Sequence, residues 1–83
     1  MTLIREIPKN SQEIIKLSIT EFKGKPYGDL RVYYRDDNDE WRPTRKGLTL
    51  APDLIPEVRA GIEELEQAMR EDGLIEDDEE LAA

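Results

Sequence analysis

The hydrophobic residues of this chain change their spacing once, near residue 50, and that change restricts the folds available to it. Between Ile14 and Thr20 apolar and polar residues alternate, and a period of two is typical of a half-buried β-strand. After Pro52 the apolar residues instead recur at intervals of three and four, which is typical of one face of an α-helix. The order of these patterns predicts that strands come first and a helix comes last.

Four short strands are expected in the first fifty residues. Turn sequences separate them, because Lys23-Gly24-Lys25-Pro26 holds both glycine and proline and residues 36–39 are all Asp or Asn. Pro8 ends the first strand, and Gly47 permits a bulge in the last one. The strands are expected at residues 3–7, from residue 14 to the first turn, at 29–35 and at 41–50. Tight loops between short strands predict an antiparallel sheet.

The helix is expected between Asp53 and Gly73. Asp53 is placed to cap its first turn, Pro56 falls where backbone N–H groups have no helical partner, and Gly73 is typical of a helix end. Its apolar residues form a narrow stripe consisting of Ile55, Val58, Ile62, Leu65 and Met69. Such a stripe can cover the sheet or pair with the same helix of a second subunit, and both can hold.

Charge is also unevenly distributed. The chain of 83 residues has 12 basic and 20 acidic residues, a net charge of −8 that by itself argues against a nucleic-acid partner. Residues 1–50 carry ten basic and eight acidic residues (+2), whereas residues 51–83 carry two and twelve (−10). The acidic run at 76–80 predicts a disordered acidic tail at residues 76–83 that follows a domain of residues 1–75. We hypothesise that this tail competes with a nucleic acid for the basic strands.

The absence of Cys and His excludes several classes of function. Disulfides, Cys-ligated zinc, iron–sulfur clusters and thiol catalysis all need Cys, and the commonest general base and transition-metal ligand is His. Acidic residues at 36, 37 and 39 could gather a divalent cation, but such a run is typical of a soluble turn. With no apolar run of roughly 18 residues and no signal-peptide pattern, we expect a soluble, intracellular, non-enzymatic protein without cofactor, metal or membrane partner.

All five aromatic residues lie within a window of twenty residues, where basic residues interleave with them. They are Phe22, Tyr27, Tyr33, Tyr34 and Trp41. On a sheet, exposed rings can stack on unpaired bases while Lys and Arg contact phosphates. A duplex reader needs an element that fits a groove, and the helix here is acidic. The window therefore favours single-stranded nucleic acid, although strand aromatics more often pack across strands.

Three blocks of this window resemble the C-terminal domain of the eukaryotic transcriptional coactivator positive cofactor four, and more closely its stand-alone bacterial homologues. The blocks are Phe22-Lys23-Gly24-Lys25, residues 29–34 and residues 42–48, and they keep the family's order and spacing across roughly residues 13–71. The resemblance implies an α+β fold with a four-stranded curved antiparallel sheet followed by one C-terminal helix. It also implies dimerisation through the helices and paired channels that bind single-stranded DNA with little sequence preference.

The same resemblance implies roles for individual residues. The residues that bind nucleic acid would be two stacking aromatics and six basic residues, namely Phe22, Tyr34, Lys23, Lys25, Arg31, Arg42, Arg45 and Lys46. The dimer interface would be the helix stripe of Ile55, Val58, Ile62, Leu65 and Met69. Alternatives remain for two kinds of residue, since the two lysines could be solvated turn residues and Arg31 could form a structural ion pair with Asp29.

The aromatic residues have open alternatives as well. Regular alternation places Tyr34 on one face of its strand and Arg31 with Tyr33 on the other. A bulge or a strong twist would be needed for Arg31 and Tyr34 to serve one channel. For Trp41, packing within the hairpin is at least as well supported as binding.

The leading hypothesis is a homodimeric single-stranded DNA-binding protein that modulates transcription or handles melted DNA in replication or repair. It would be cytoplasmic and, if it is of the bacterial type, associated with the nucleoid. Two alternatives differ in the partner. The acidic helix and tail could bind a basic protein of the transcription machinery, with the sheet as scaffold, or the sheet could bind RNA.

Overall fold

A computed structural model describes residues 1–76, in which four strands are followed by one α-helix. The strands are β1 (Thr2–Pro8), β2 (Glu13–Phe22), β3 (Lys25–Arg35) and β4 (Trp41–Leu50), and helix α1 (Ile55–Glu71) follows a short 3₁₀ turn at Pro52–Leu54. Strand order in the sheet follows chain order, and all neighbouring strands are antiparallel. The predicted α+β architecture is confirmed. The chain divides into a sheet unit, Met1–Pro52, and a helical unit that begins at Asp53.

The pairing of β2 with β3 defines the two faces of the sheet. It is regular from Glu13 opposite Tyr34 to Phe22 opposite Lys25, so residues at paired positions share a face. We call one face the groove face, which carries Lys16, Ser18, Thr20 and Phe22 of β2 with Lys25, Tyr27, Asp29, Arg31 and Tyr33 of β3. The opposite, apolar face carries Ile15, Leu17 and Ile19 with Leu30 and Val32. The alternation predicted for both strands is confirmed.

The turn between β2 and β3 is shorter than the sequence predicts. Only Lys23 and Gly24 lie in it, with φ of 53° and 78°, and β3 already begins at Lys25. Positive φ at both central residues is typical of the type I′ turn, whose twist matches that of the flanking strands. The predicted four-residue turn is therefore wrong at its second half, because Lys25 and Pro26 pair with β2 as strand residues.

Strand β4 contains the bulge that Gly47 predicts. Arg31 lies opposite Gly47 and Tyr33 lies opposite Pro43, so four positions of β4 span two positions of β3. Gly47 has φ of 150°, and a Cβ atom there would collide with the Leu30 carbonyl oxygen and lie 2.8 Å from the Arg31 Cα. Only glycine allows this close approach of β4 to β3.

The two ends of helix α1 differ in how well they were predicted. At the N-terminus the cap residue is Leu54, which makes no side-chain cap hydrogen bond, and Asp53 lies inside the 3₁₀ turn. The predicted capping role of Asp53 is wrong because this turn moves the helix start beyond it. At the C-terminus Gly73 has φ of 75°, and the N–H of Leu74 donates to the Met69 carbonyl over 2.8 Å, as predicted for a glycine-terminated helix.

Few side chains of the described residues are buried. Ile14, 9% exposed, is the one buried hydrophobic residue among residues 1–76, and none of them has a fully buried side chain. The apolar stripe of α1 is open to solvent, with Ile62 at 52% and Leu65 at 58% exposure. Within residues 1–76, no helix is both long and apolar enough to cross a membrane. Apart from Glu76, the expected acidic tail lies outside the described residues.

Candidate nucleic-acid interface

An open cleft of about 500 Å³ lies on the groove face, next to the turn between β2 and β3. Two aromatic residues line it together with polar residues that come from three strands. The lining consists of Thr20, Glu21, Phe22, Tyr27, Asp29, Arg31 and Thr49. A cleft with aromatic walls and a few converging polar groups is the usual form of a small-ligand site.

Phe22 and the adjacent lysines form the rim of this cleft. Phe22, the last residue of β2, is 62% exposed, although phenylalanine is usually buried. The Nζ of Lys23 lies 5.5 Å from the centroid of that ring, within the range of a cation–π contact. Lys25 lies opposite Phe22 in the pairing and is also exposed. The rim therefore combines an open ring with two ammonium groups.

Asp29 and Arg31 form an ion pair at the buried end of the cleft. Asp29 is buried, and its two oxygens accept hydrogen bonds from the Nε and Nη2 of Arg31 at 3.1 and 2.9 Å. The Arg31 hydrogen bonds hold the pKa of Asp29 below its ordinary value, and Asp29 raises the pKa of Arg31. The structural alternative stated for Arg31, a pair with Asp29, is present in the structure.

Strand β4 completes this polar cluster. The Thr49 hydroxyl donates to Asp29 over 2.9 Å and accepts from Arg31 over 3.2 Å, while the Arg31 Nη1 donates to the Thr44 carbonyl over 3.0 Å. Thr49 lies opposite Asp29, and Gly47, opposite Arg31, has no side chain to obstruct the guanidinium. The bulge and its glycine thus place Arg31 across β4 rather than toward solvent.

Basic and aromatic residues continue along the groove face beyond the cleft. The Nζ of Lys16 lies 4.4 Å from the centroid of the Tyr33 ring, a closer cation–π contact than the one at Phe22. Lys16 is also the cross-strand neighbour of Arg31. From Lys25 to Tyr33 the rings and cations of this face extend for about 26 Å along β3, at the usual strand rise per residue.

The structure separates Tyr34 from the predicted binding residues at the cleft. Phe22, Lys23, Lys25 and Arg31 lie at or beside the cleft, but Tyr34 lies on the opposite face, since it pairs with Glu13 in the regular β2–β3 register. The one irregularity next to β3 is in its pairing with β4, so it does not bring Tyr34 to the side of Arg31. The alternation of side chains therefore places Phe22 and Tyr34 of one chain on opposite faces of the sheet.

The remaining predicted basic residues belong to β4. The Arg42 Nε donates to Asp36 and its Nη2 donates to Glu40, both over 2.9 Å, so its charge is used within the β3–β4 hairpin. The hydrogen bond between Arg42 and Asp36 lowers the pKa of Asp36 and raises that of Arg42. Arg45 and Lys46 lie in the bulge and are exposed.

Trp41 contacts its own hairpin, and other residues take the positions at the cleft. The guanidinium of Arg35 lies 6.0 Å from the Trp41 ring, which agrees with the packing alternative. Sequence reasoning did not identify Tyr27 or Thr49 as site residues. Counting back by twos from Arg31 reaches Asp29 and Tyr27 on the same face, so strand alternation could have found Tyr27. Thr49 depends on the β3–β4 register, which no local pattern reveals.

Comparisons with known proteins agree with this architecture. The family described as Transcriptional Coactivator p15 (PC4) matches residues 9–61. A putative RNA polymerase II transcriptional coactivator of Caenorhabditis elegans is 41% identical over 49 residues, which represent 49% of this chain and 40% of that protein. The chain therefore matches less than half the length of that curated relative.

Solved structures are similar as well. The crystal structure of a PC4 homologue from Burkholderia pseudomallei superposes with a TM-score of 0.70 at 28% identity, covering 74% of this chain and 90% of the other. A bacteriophage T5 homologue of the coactivator, described as implicated in recombination-dependent DNA replication, gives a TM-score of 0.56 at 26% identity over 84% and 81% of the two chains.

Proposed function

Because the chain belongs to the family of the transcriptional coactivator p15 (PC4), we propose that it is a non-enzymatic protein that binds single-stranded DNA with little sequence preference. The observation that carries this proposal is the rim of the cleft, where the exposed Phe22 has Lys23 beside its ring and Lys25 opposite it on β3. A duplex keeps its bases stacked inside, whereas a single strand can offer them to such a ring.

The groove face supplies both interactions that a single strand needs. Bases stack on Phe22 and Tyr27, and the ammonium groups of Lys23 and Lys25 contact phosphates beside them. Stacking accepts any base and phosphate contacts carry no sequence information, so little sequence preference is expected. Lys16 and Tyr33 extend the path along the strands.

Arg45 and Lys46 are proposed as further phosphate contacts at the edge of the sheet. Both are exposed in the β4 bulge and belong to the basic block that resembles the family. Tyr34 and Arg42, which pair with each other, lie on the opposite face and do not belong to this path. We therefore propose no role for Tyr34 in the groove face, and we assign Arg42 to the structure of the β3–β4 hairpin.

We further propose that the working form is a homodimer. A chain with one buried hydrophobic residue among residues 1–76 has too small a core for ordinary stability, and a second copy can supply the missing burial. The α1 stripe of Ile55, Val58, Ile62, Leu65 and Met69 is the proposed interface, because its 3-4 spacing is that of a helix–helix seam.

The cellular role we propose is modulation of transcription or protection of melted DNA during replication or repair. The nematode relative is described as a transcriptional coactivator and the phage homologue is implicated in recombination-dependent replication, so both settings expose single strands. The acidic face of α1, with Glu57, Glu63, Glu64 and Glu66, is suited to a basic partner in the transcription machinery. A cytoplasmic, nucleoid-associated location would suit a member of bacterial type.

Binding is tested by fluorescence anisotropy with a labelled oligo-dT, the matched duplex and the matched oligo-U, each at two salt concentrations. We expect the single-stranded DNA to bind more tightly than the duplex, with a salt slope of about −0.7 per neutralised phosphate. Duplex binding of equal strength would overturn the proposal, and tighter oligo-U binding would identify an RNA binder. Arg59→Ala, which removes a charge from the exposed face of α1, is the control and leaves binding unchanged. The solution mass of the free protein tests the dimer.

A further inference from the structure

We propose that the cleft beside Phe22 is a pocket for one uncharged nucleobase, and that Asp29 is the positioning residue that keeps phosphate out of it by occupying Arg31. This inference rests on the proposed function and specifies how one part of the strand enters the site. An arginine in a nucleic-acid groove is ordinarily expected to bind phosphate. The contacts of Arg31 oppose that expectation.

The hydrogen bonds of Arg31 are almost all used within the protein. A guanidinium has five N–H donors, and four of them point to Asp29 Oδ2, Asp29 Oδ1, Thr49 Oγ1 and Thr44 O. The edge formed by Nε and Nη2, which would grip a phosphate in a bidentate pair, is occupied by the Asp29 carboxylate. One N–H of Nη1 remains. It can donate to a single base atom but cannot form a bidentate pair with a phosphate.

Charge leads to the same assignment. Asp29 and Arg31 cancel each other at the buried end of the cleft, where their side chains are 12% and 23% exposed. A phosphate brought into the cleft would meet the carboxylates of Asp29 and Glu21 and a guanidinium that Asp29 already neutralises. At the rim the ammonium groups of Lys23 and Lys25 are exposed, and no acidic partner within the described part of the chain lies within ion-pair distance of them. The backbone should therefore follow the rim while a base enters the cleft.

The lining of the cleft fits an uncharged planar group. Phe22 and Tyr27 provide ring surfaces, and the Thr20 hydroxyl adds a neutral polar group. With a volume of about 500 Å³, the cleft can hold one base while the DNA backbone continues along the rim. The lining carries two carboxylates, those of Glu21 and Asp29, and one guanidinium that Asp29 already pairs, so it repels a phosphate and accepts an uncharged base.

The decisive variant is Asp29→Asn, which keeps the side-chain size and releases Arg31 from its charged partner. Binding is measured by anisotropy with oligo-dT and with an abasic oligonucleotide of the same length and charge, across a salt series. In the wild type, dT should bind more tightly than the abasic strand by about 5- to 150-fold for each stacked base. In Asp29→Asn we expect this ratio to fall and the salt slope to become steeper by about 0.7, one additional phosphate.

The opposite variant, Arg31→Gln, tests the same idea from the other side. If Arg31 binds no phosphate, its removal leaves the salt slope unchanged, whereas Lys23→Ala lowers the slope by about 0.7. Arg31→Gln also keeps the inference testable if Asp29→Asn does not fold, which thermal melting monitored by circular dichroism would reveal. Asp37→Asn, the same substitution at an exposed position of the β3–β4 loop outside the cleft, should keep the wild-type slope and provides the control.

The outcomes separate this inference from the proposed function. A wild type that binds no single strand overturns both. A wild type that binds single strands, with an Arg31→Gln slope reduced as much as that of Lys23→Ala, overturns only the pocket and makes Arg31 a phosphate contact. An Asp29→Asn protein that folds with an unchanged slope and an unchanged dT-to-abasic ratio also overturns the pocket.

Discussion

The two hairpins of β3 have similar compositions and opposite surface chemistry. The β2–β3 hairpin carries Phe22 with two lysines, and the β3–β4 hairpin carries Trp41 with two arginines. At the first, the ring is open and the ammonium groups are free of acidic partners within residues 1–76. At the second hairpin, acidic residues of the loop form ion pairs with both arginines: Arg42 pairs with Asp36 and Arg35 pairs with Asp39. Basic–aromatic composition therefore does not identify a binding surface until the nearby carboxylates are placed.

Removing the aromatic ring of each hairpin should give the largest difference in DNA affinity between the two hairpins. Phe22→Ala is expected to cost about 1–3 kcal/mol of binding to single-stranded DNA without changing the salt slope, because a stacking surface is lost and no charge is. Trp41→Ala is the matched variant and should leave affinity within twofold. Fluorescence titration with oligo-dT measures both, and an equal loss in the two variants would mean that the hairpins bind alike.

Removing charge should separate them next. Lys23→Ala with Lys25→Ala is expected to lower the salt slope by about 1.4, two phosphates, and to weaken binding uniformly across sequences. Arg42→Ala should leave the slope unchanged, because its guanidinium already pairs with Asp36 and Glu40. Titrations at a series of salt concentrations check this pair. A lowered slope for Arg42→Ala would make the second hairpin a phosphate site.

Acid should weaken both regions through their paired carboxylates. Hydrogen bonds from Arg31 and Arg42 lower the folded-state pKa of Asp29 and Asp36 below 3.8. Each carboxylate therefore adds stability that is fully present above pH 3.8 and is lost as pH falls through its lowered folded pKa.

We expect the stability of Asp29→Asn and of Asp36→Asn to fall less than that of the wild type as the pH decreases below about 4. Thermal melting from pH 2 to 6 measures this, and Asp37→Asn, in the same loop as Asp36, serves as the control. A full acid response in Asp29→Asn would show that its ion pair adds nothing to stability.

The smallest expected effect concerns backbone strain in the first hairpin. Lys23 has φ of 53°, where a side chain is disfavoured, so Lys23→Gly should stabilise the fold by up to about 1 kcal/mol while it weakens DNA binding. Lys25→Gly, at a regular strand position, should destabilise the fold by about 0.5–1 kcal/mol. Urea unfolding measures both variants. A loss of stability in Lys23→Gly would show that the lysine side chain stabilises the fold by more than its positive φ costs.

Local patterns predicted most of the architecture and part of the site. The alternation in β2 and β3, the bulge before Gly47 and the helix end at Gly73 follow from residues a few positions apart. Phe22, Lys23 and Lys25 are neighbours along the chain, so their shared position at the cleft was also predictable. The start of α1 was not, because Pro52–Leu54 forms a 3₁₀ turn where a capping residue was expected.

The sequence by itself determined where the chain turns, which residues alternate and where the positive charge is concentrated, since these properties depend on near neighbours. Only the tertiary structure decided which charges remain available. Arg31 is held by Thr44 and Thr49, 13 and 18 positions away, and the β3–β4 register that brings them together includes a bulge. The regular pairing of β2 with β3 keeps Tyr34 and Tyr27 on the opposite faces that strand alternation predicts. Partners distant in sequence determine whether an arginine meets DNA, and strand pairing selects those partners.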